Sequence, residues 1–138
     1  MEVRSERTGW RDLGLNDRHR LWGWDCPATD IDFIEYDYGK AVAFIEYKHE
    51  RAASIQLDNL NHNLRALIDS GNRASLPVFL VRYATDYSWW KVVALNEQGK
   101  RHLPNRITFT EVDFVRLLYK LRGRECPSSI LESLQTSF

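Results

Sequence analysis

The chain has 138 residues, 43% of them hydrophobic, and its 19 basic and 19 acidic side chains leave no formal net charge. That is enough chain for one domain with a substantial core and too little for two comfortable ones. No apolar run approaches the roughly 18 residues of a membrane span, and the opening "MEVRSERTGW" lacks a secretion signal, so no membrane partner is expected and the expected compartment is the cytoplasm.

Residues 1–24 are polar and aromatic, with Trp10, Trp22 and Trp24, and Asn16 is placed to cap a short helix through "DRHRLW" that Gly23 would stop. Residues 30–36 and 41–48 read as the two strands of a hairpin. Between 51 and 70 the period changes. Ala53, Leu57, Leu60, Leu64 and Leu67 recur at helical spacing, and Gly71 is a natural stop. "LPVFLVRYA" (76–84) reads as a strand buried on both faces. "YSWWKVVAL" (87–95) reads as a further strand, with "SWW" anchoring a core or a dimer contact and "NEQGK" as a turn after it. Thr110 and Asp113 form a capping pair for a helix at 111–122, whose apolar face would be Val112, Val115, Leu118 and Tyr119 and whose end is Gly123. The tail "PSSILESLQTSF" forms a short helix or frays. Strand clusters alternate with helices, which predicts a single α/β domain over residues 1–138 with a mixed central sheet.

Cys26 and Cys126 each precede a proline and lack the CxxC spacing of a zinc site, so both are expected as reduced thiols. Charge is unevenly distributed despite its zero sum. Residues 25–50 hold seven acids against two lysines, whereas residues 51–138 hold twelve Lys and Arg against eight acids. Carboxylates packed this closely repel unless a positive charge sits among them. The segment is either a solvated acidic loop or a divalent-cation site beside a basic surface.

The hairpin distinguishes those cases through parity, because side chains alternate along a strand. Glu46 and Lys48 share one face, as do Asp30 and Asp32. A two-residue turn at Tyr38-Gly39 would set the aspartates on the face opposite Glu46. A three-residue loop, which favours Gly at its third position, restores even-to-even pairing. A loop at 37–39 sets Asp30 across from Glu46, and one at 38–40 sets Asp32 there. Both hairpin faces carry apolar residues, so the hairpin is expected to be sandwiched. Carboxylates and a lysine in that setting are costly without partners. They form either a structural salt bridge or a Mg²⁺ site completed by substrate phosphate.

"DID" (30–32), a 13-residue gap and "EYK" (46–48) on the next strand resemble the signature of the PD-(D/E)xK nuclease superfamily, which includes small Holliday-junction resolvases and many phage nucleases. The resemblance covers about residues 10–85 and implies a restriction-endonuclease-like αβββαβ core. It further implies that Asp32, with Asp30 as the alternative, and Glu46 bind Mg²⁺ or Mn²⁺ together with the main-chain carbonyl of Tyr47. Lys48 would position the attacking water. The implied activity is metal-dependent hydrolysis of DNA phosphodiesters, in a chain that is by analogy a homodimer. Thr29 and Ile31 stand where the family places proline before its aspartate. The acid of the first helix could be Glu6, Asp12 or Asp17, and Gln56 resembles a helical glutamine of some branches.

Arg18, His19 and Arg20, interleaved with Trp22 and Trp24, suit phosphate contact and base stacking; alternatively they mark a surface helix whose tryptophans pack inward. "KRHLPNR" (100–106) and "KLRGR" (120–124) are either phosphate contacts or solvated loops. His49 and His62 read as structural or surface residues. Two other functions compete with hydrolysis: the same fold kept as a nucleic-acid-binding or regulatory module without catalysis, and a protein-interaction domain whose charged hairpin is a salt-bridge cluster.

Overall fold

A computed structural model describes residues 13–136. The chain divides into two compact units, the first ending at Asp30 and the second beginning at Ile31. The first unit contains helix α1 (Leu13–Arg20), with Arg18, His19 and Arg20 in its last turn, where cations oppose the partial negative charge of the helix end. Asn16 lies inside α1 and does not cap it, because the helix begins earlier than the polar pattern indicates. Trp22 and Trp24 are 54% and 93% exposed, so neither is packed inward. Trp10, Glu6 and Asp12 lie outside the described residues.

The second unit is built on a five-stranded sheet in chain order β1 (Phe33–Asp37), β2 (Lys40–His49), β3 (Val78–Tyr83), β4 (Trp90–Ala94) and β5 (Ile107–Phe109). Only β2 and β3 run parallel, and a parallel pair needs a crossover. Helix α2 (His62–Ala74) supplies it. Helices α3 (Glu97–His102), α4 (Glu111–Lys120) and α5 (Ser128–Thr136) complete an α/β arrangement. The core has two halves. Odd-numbered Ala43 and Ile45 of β2 join Phe79, Val81 and Val92 against Phe114 and Leu117 of α4. Even-numbered Phe44 joins Val78 against Leu64 and Leu67 of α2. Burial on both faces is therefore true of β2 and β3. Strand β1 departs from the expected sandwich: it is an edge strand, with Phe33, Ile34 and Tyr36 exposed.

Several expected boundaries move for identifiable reasons. Residues 51–60 form turns instead of a helix, because the Arg82 guanidinium takes up the carbonyls of Ala52 and Ala53 that would begin one. The helix starts instead where Asn61 Oδ1 accepts from Leu64 N at 2.9 Å. Ala53, Gln56 and Leu57 thus lie outside it. Gly71 is a packing residue, not a stop: a Cβ there would sit 2.2 Å from Val78 Cγ2, and the helix runs on to a left-handed cap at Ser75. On α4 the buried residues are Phe114 and Leu117, with half-buried Leu118 and, just past the helix, Leu121 packed on the same cluster; Val112 and Val115 are half-buried outside it. The short strand β5 was not expected. Among the described residues two strands, not three, precede the crossover helix, and the sheet is extended at its other edge by β4 and β5. No helix among the described residues is long and apolar enough to cross a membrane.

"NEQGK" opens a helix where a turn was expected, and Asn96 is the cause. This residue, 6% exposed, accepts from Gly99 N at 2.9 Å as the cap of α3. Its Oδ1 also accepts from Val78 N, and its Nδ2 donates to Leu76 O and Asn72 Oδ1. One amide thus joins the end of α2, the start of β3 and the start of α3. Asn96→Ala leaves buried backbone groups unpaired, each costing about 1–3 kcal/mol. Its urea midpoint is expected to fall correspondingly, with no change in the slope of the transition; an unchanged midpoint would show that these bonds add nothing net.

Candidate functional site

The hairpin turn decides which carboxylates meet. Tyr38 and Gly39 both have positive φ, 50° and 79°, the pattern of a two-residue turn whose twist matches that of the strands. Asp37 pairs Lys40 and Tyr36 pairs Ala41, so at the turn even residues face odd ones. Neither three-residue loop is present. The register then shifts, and Glu35 pairs Ala43. Val42 is the extra residue of a β-bulge, and past it even residues face even ones: Ile34 opposite Phe44, with Phe33 opposite Ile45. The same register carried one step further sets Asp32, immediately before β1, across from Glu46.

Asp32 Oδ2 accepts a hydrogen bond from Tyr47 N at 3.2 Å. A strand residue's N–H and C=O point to the same side, so the Tyr47 carbonyl also lies on the β1 side of β2, beyond the last β1 pair. Glu46 is an ion-pair partner of Lys48, with Nζ 3.3 Å from Oε1; the Glu46 side chain is 18% exposed and that of Lys48 35%. Burial raises the Glu46 pKa above its ordinary value, the Asp32 charge raises it further, and Lys48 offsets part of the rise. Asp32, Glu46, Lys48 and the Tyr47 backbone therefore converge. Asp30 belongs to the other unit, as do Arg18, His19 and Arg20. In that unit Arg20 pairs with Asp17 at 3.6 Å and the His19 ring lies 4.8 Å from Trp22.

The hairpin's other acids are neutralised locally. Arg122 Nη2 lies 3.1 Å from Glu35, and Arg124 Nη2 lies 2.8 Å from Asp37. Hydrogen bonding from Arg124 holds the Asp37 carboxyl below its usual range. In "KLRGR" both arginines, Arg122 and Arg124, are taken up by the hairpin acids. Glu50 is held by both the amide and the hydroxyl of Thr85, and those bonds lower its pKa. His49 accepts from Arg51 N and bonds the same Thr85 hydroxyl, a structural role. His62 opens α2 and is exposed. Cys26 and Cys126 are free thiols.

On the opposite face Tyr47 turns its ring into an aromatic cluster in which Trp90 stacks on Phe114 at 4.9 Å. Burial pushes the Tyr47 hydroxyl pKa well up. "SWW" accordingly contributes Trp90 to packing, while Trp89 lies beneath Lys91. Sequence reasoning missed Arg82 and Lys91, which lie on the same sheet face as Glu46, in the row that continues from Lys48. The available signal was parity: Arg82 is two residues past Leu80, and Lys91 is two before Val93.

Among the described residues no group of three or more His, Cys, Asp or Glu side chains is arranged to hold a metal ion. The donor set that is present, two carboxylates and a main-chain carbonyl, suits Mg²⁺, which takes one or two carboxylates and keeps waters and phosphate oxygens for the rest. No protein-family model matches the chain, and neither a curated protein nor a solved structure is significantly similar to it.

The Glu46 environment predicts a pH signature. A carboxyl whose folded pKa lies above its ordinary 4.5 binds its proton more tightly folded than unfolded. The stability it confers is complete below that ordinary value and is lost as pH rises through the folded one. In metal-free urea unfolding, wild type is therefore expected to lose stability relative to Glu46→Gln as pH is raised from about 4 to 7. Parallel pH profiles would contradict a raised Glu46.

Proposed function

We propose that this chain is a divalent-metal-dependent nuclease of the PD-(D/E)xK type, with a restriction-endonuclease-like core and DNA as substrate. The supporting observation is that Asp32 and Glu46 come together on one face of β2, with Lys48 ion-paired to Glu46 and the Tyr47 backbone turned toward Asp32. The exposed Asp32 carboxylate and the partly buried Glu46 repel each other, and a shared cation relieves that repulsion. Lys48 alone does not, because the Glu46 pKa remains raised with the ammonium beside it.

Asp32, Glu46 and the Tyr47 carbonyl would hold Mg²⁺ or Mn²⁺. Bound there, the ion supplies charge neutralisation at the phosphate and a lowered pKa for the attacking water. The chain's own contributions follow from the geometry. The Tyr47 amide fixes the Asp32 carboxylate in orientation. Limited exposure of Glu46 keeps water from competing for its oxygens. Lys48, still a third exposed, keeps donors free to orient a water or a phosphoryl oxygen. The salt bridge to Glu46 limits the space its flexible stem explores.

Supercoiled, branched and single-stranded DNA incubated with Mg²⁺ or Mn²⁺ tests this reading. Wild type is expected to cleave at least one of them and to stop in EDTA. Asp32→Asn and Glu46→Gln are expected to lower the rate by more than the roughly 100-fold that losing even a ligand's supporting partner can cost. Lys48→Ala is expected to lower it by about 10²–10⁴ while keeping the Mn²⁺-induced rise in melting temperature that the two carboxylate variants lose. Cleavage undiminished in all three variants refutes the assignment. DNA binding with no metal-dependent cleavage puts the non-hydrolytic module in its place.

A further inference from the structure

Directly paired residues of neighbouring strands project to the same side of a sheet. Two adjacent rows follow from the register. Glu46, Leu80 and Val93 form one, and Lys48, Arg82 and Lys91 form the next. The rows are about 6.6 Å apart along the strands, and Lys91 is two strands, or about 10 Å, from Lys48. A cavity of about 330 Å³ opens over the β3–β4 part of these rows, with Leu80 and Val93 in its lining together with Arg82, Lys91, Arg106 and Ser54.

Among the described residues no acidic side chain lines this cavity. Arg82 spends its hydrogen bonds on the carbonyls of His49, Glu50, Ala52 and Ala53. It thereby seats the segment leading to Ser54, and its charge is left unneutralised. Lys91 Nζ lies over the Trp89 ring at 5.2 Å, an interaction that orients the ammonium without cancelling it. Neither Lys91 nor Arg106 is within ion-pair distance of a carboxylate among the described residues. In a chain with as many acids as bases, three cations lining one cavity with no counter-charge among the described residues make an anion site. A hydroxyl, a guanidinium group and an ammonium, from Ser54, Arg106 and Lys91, fit the oxygens of a phosphate, with the Arg82 charge in the wall behind them.

We infer that this cavity is a second phosphate site: it holds a backbone phosphate of the same nucleic-acid strand that passes the Asp32–Glu46 pair. The inference rests on the nuclease reading for its choice of ligand, but not for the presence of an anion site. Lys91 and Arg106 are exposed and grip the phosphate; Arg82 is a positioning residue that shapes the wall.

The test is DNA binding by the full chain, followed by fluorescence anisotropy in EDTA so that no cleavage intervenes, across a salt series. The double variant Lys91→Ala/Arg106→Ala is expected to bind roughly tenfold or more weakly, and its slope of log K against log salt is expected to be shallower by about 1.4–1.8, as for two lost phosphate contacts. The charge-keeping pair Lys91→Arg/Arg106→Lys is expected to keep the wild-type slope, which separates lost charge from lost folding. Equal slopes for wild type and the alanine pair overturn the inference. So does inorganic phosphate or a mononucleotide binding wild type but not the alanine pair while DNA binding is unchanged, because the ligand is then free phosphate. If wild type cleaves DNA and the alanine pair cleaves and binds like it, the second site falls and hydrolysis stands. If the salt slope depends on the two cations but no DNA is cut, hydrolysis falls and the site stands.

Discussion

Everything on the charged face depends on parity in one strand. A tight two-residue turn at Tyr38-Gly39, taken alone, would point Asp32 and Glu46 to opposite sides of the sheet. The extra residue at Val42 reverses this within two residues of the turn. A bulge leaves a residue out of the ladder and bends its strand, so it carries an energetic cost. Here the cost lies in an edge hairpin whose outer strand is mostly exposed and has little core to disturb. The reward on the core side is that Phe33 meets the Tyr47 ring while Phe44 meets α2. Apolar pattern and carboxylate convergence therefore require the same register.

The parallel β2–β3 pair then carries that parity across the sheet. Because Glu46 pairs Leu80 and Lys48 pairs Arg82, charge chosen in the hairpin continues as charge in the next strand, and Lys91 extends it. The other face is left to rings: Tyr47, Tyr83, Trp90 and Phe114 pack edge-on and stacked. Strand β2 thus separates two environments one residue apart. Tyr47 shows this within a single residue, with its side chain in the aromatic cluster and its amide on Asp32.

Much of this was legible in the sequence where one period dominated. The uninterrupted run in β3, the Thr110 cap and the pairing of Glu46 with Lys48 all follow from local pattern. What escaped was set by contacts distant in sequence. Leucine spacing suggested a helix across 51–60, but Arg82, some 30 residues on, occupies the carbonyls that helix needs. Gly71 looked like a terminator because its packing against Val78 is invisible until β3 lies beneath α2. "NEQGK" resembled a turn, and only the buried setting of Asn96 shows it to be a cap. The bulge had no sequence signature, so the choice between Asp30 and Asp32 stayed open until the register was known.

Local charge balance finally explains why so acidic a hairpin is tolerated, and why its acids are not equivalent. Glu35 and Asp37 receive arginines from the segment after α4, and Glu50 receives Thr85. Arg124 grips Asp37 with two nitrogens, Thr85 gives Glu50 two hydrogen bonds, and Arg122 gives Glu35 one; the first two pull the Asp37 and Glu50 pKa values down. Glu46 is the reverse case. Its single ammonium does not overcome burial and the neighbouring Asp32 charge, so its pKa stays up. Four acids in one hairpin thus divide by environment: three are satisfied by the protein, and Glu46 is left wanting positive charge. A cation there would complete what the fold leaves incomplete. Across the sheet the imbalance is reversed: Arg82, Lys91 and Arg106 have no ion-pair partner among the described residues. The two unmet demands, of opposite sign, lie on one face and a strand or two apart, and the proposed nucleic-acid strand with its metal ion would answer both.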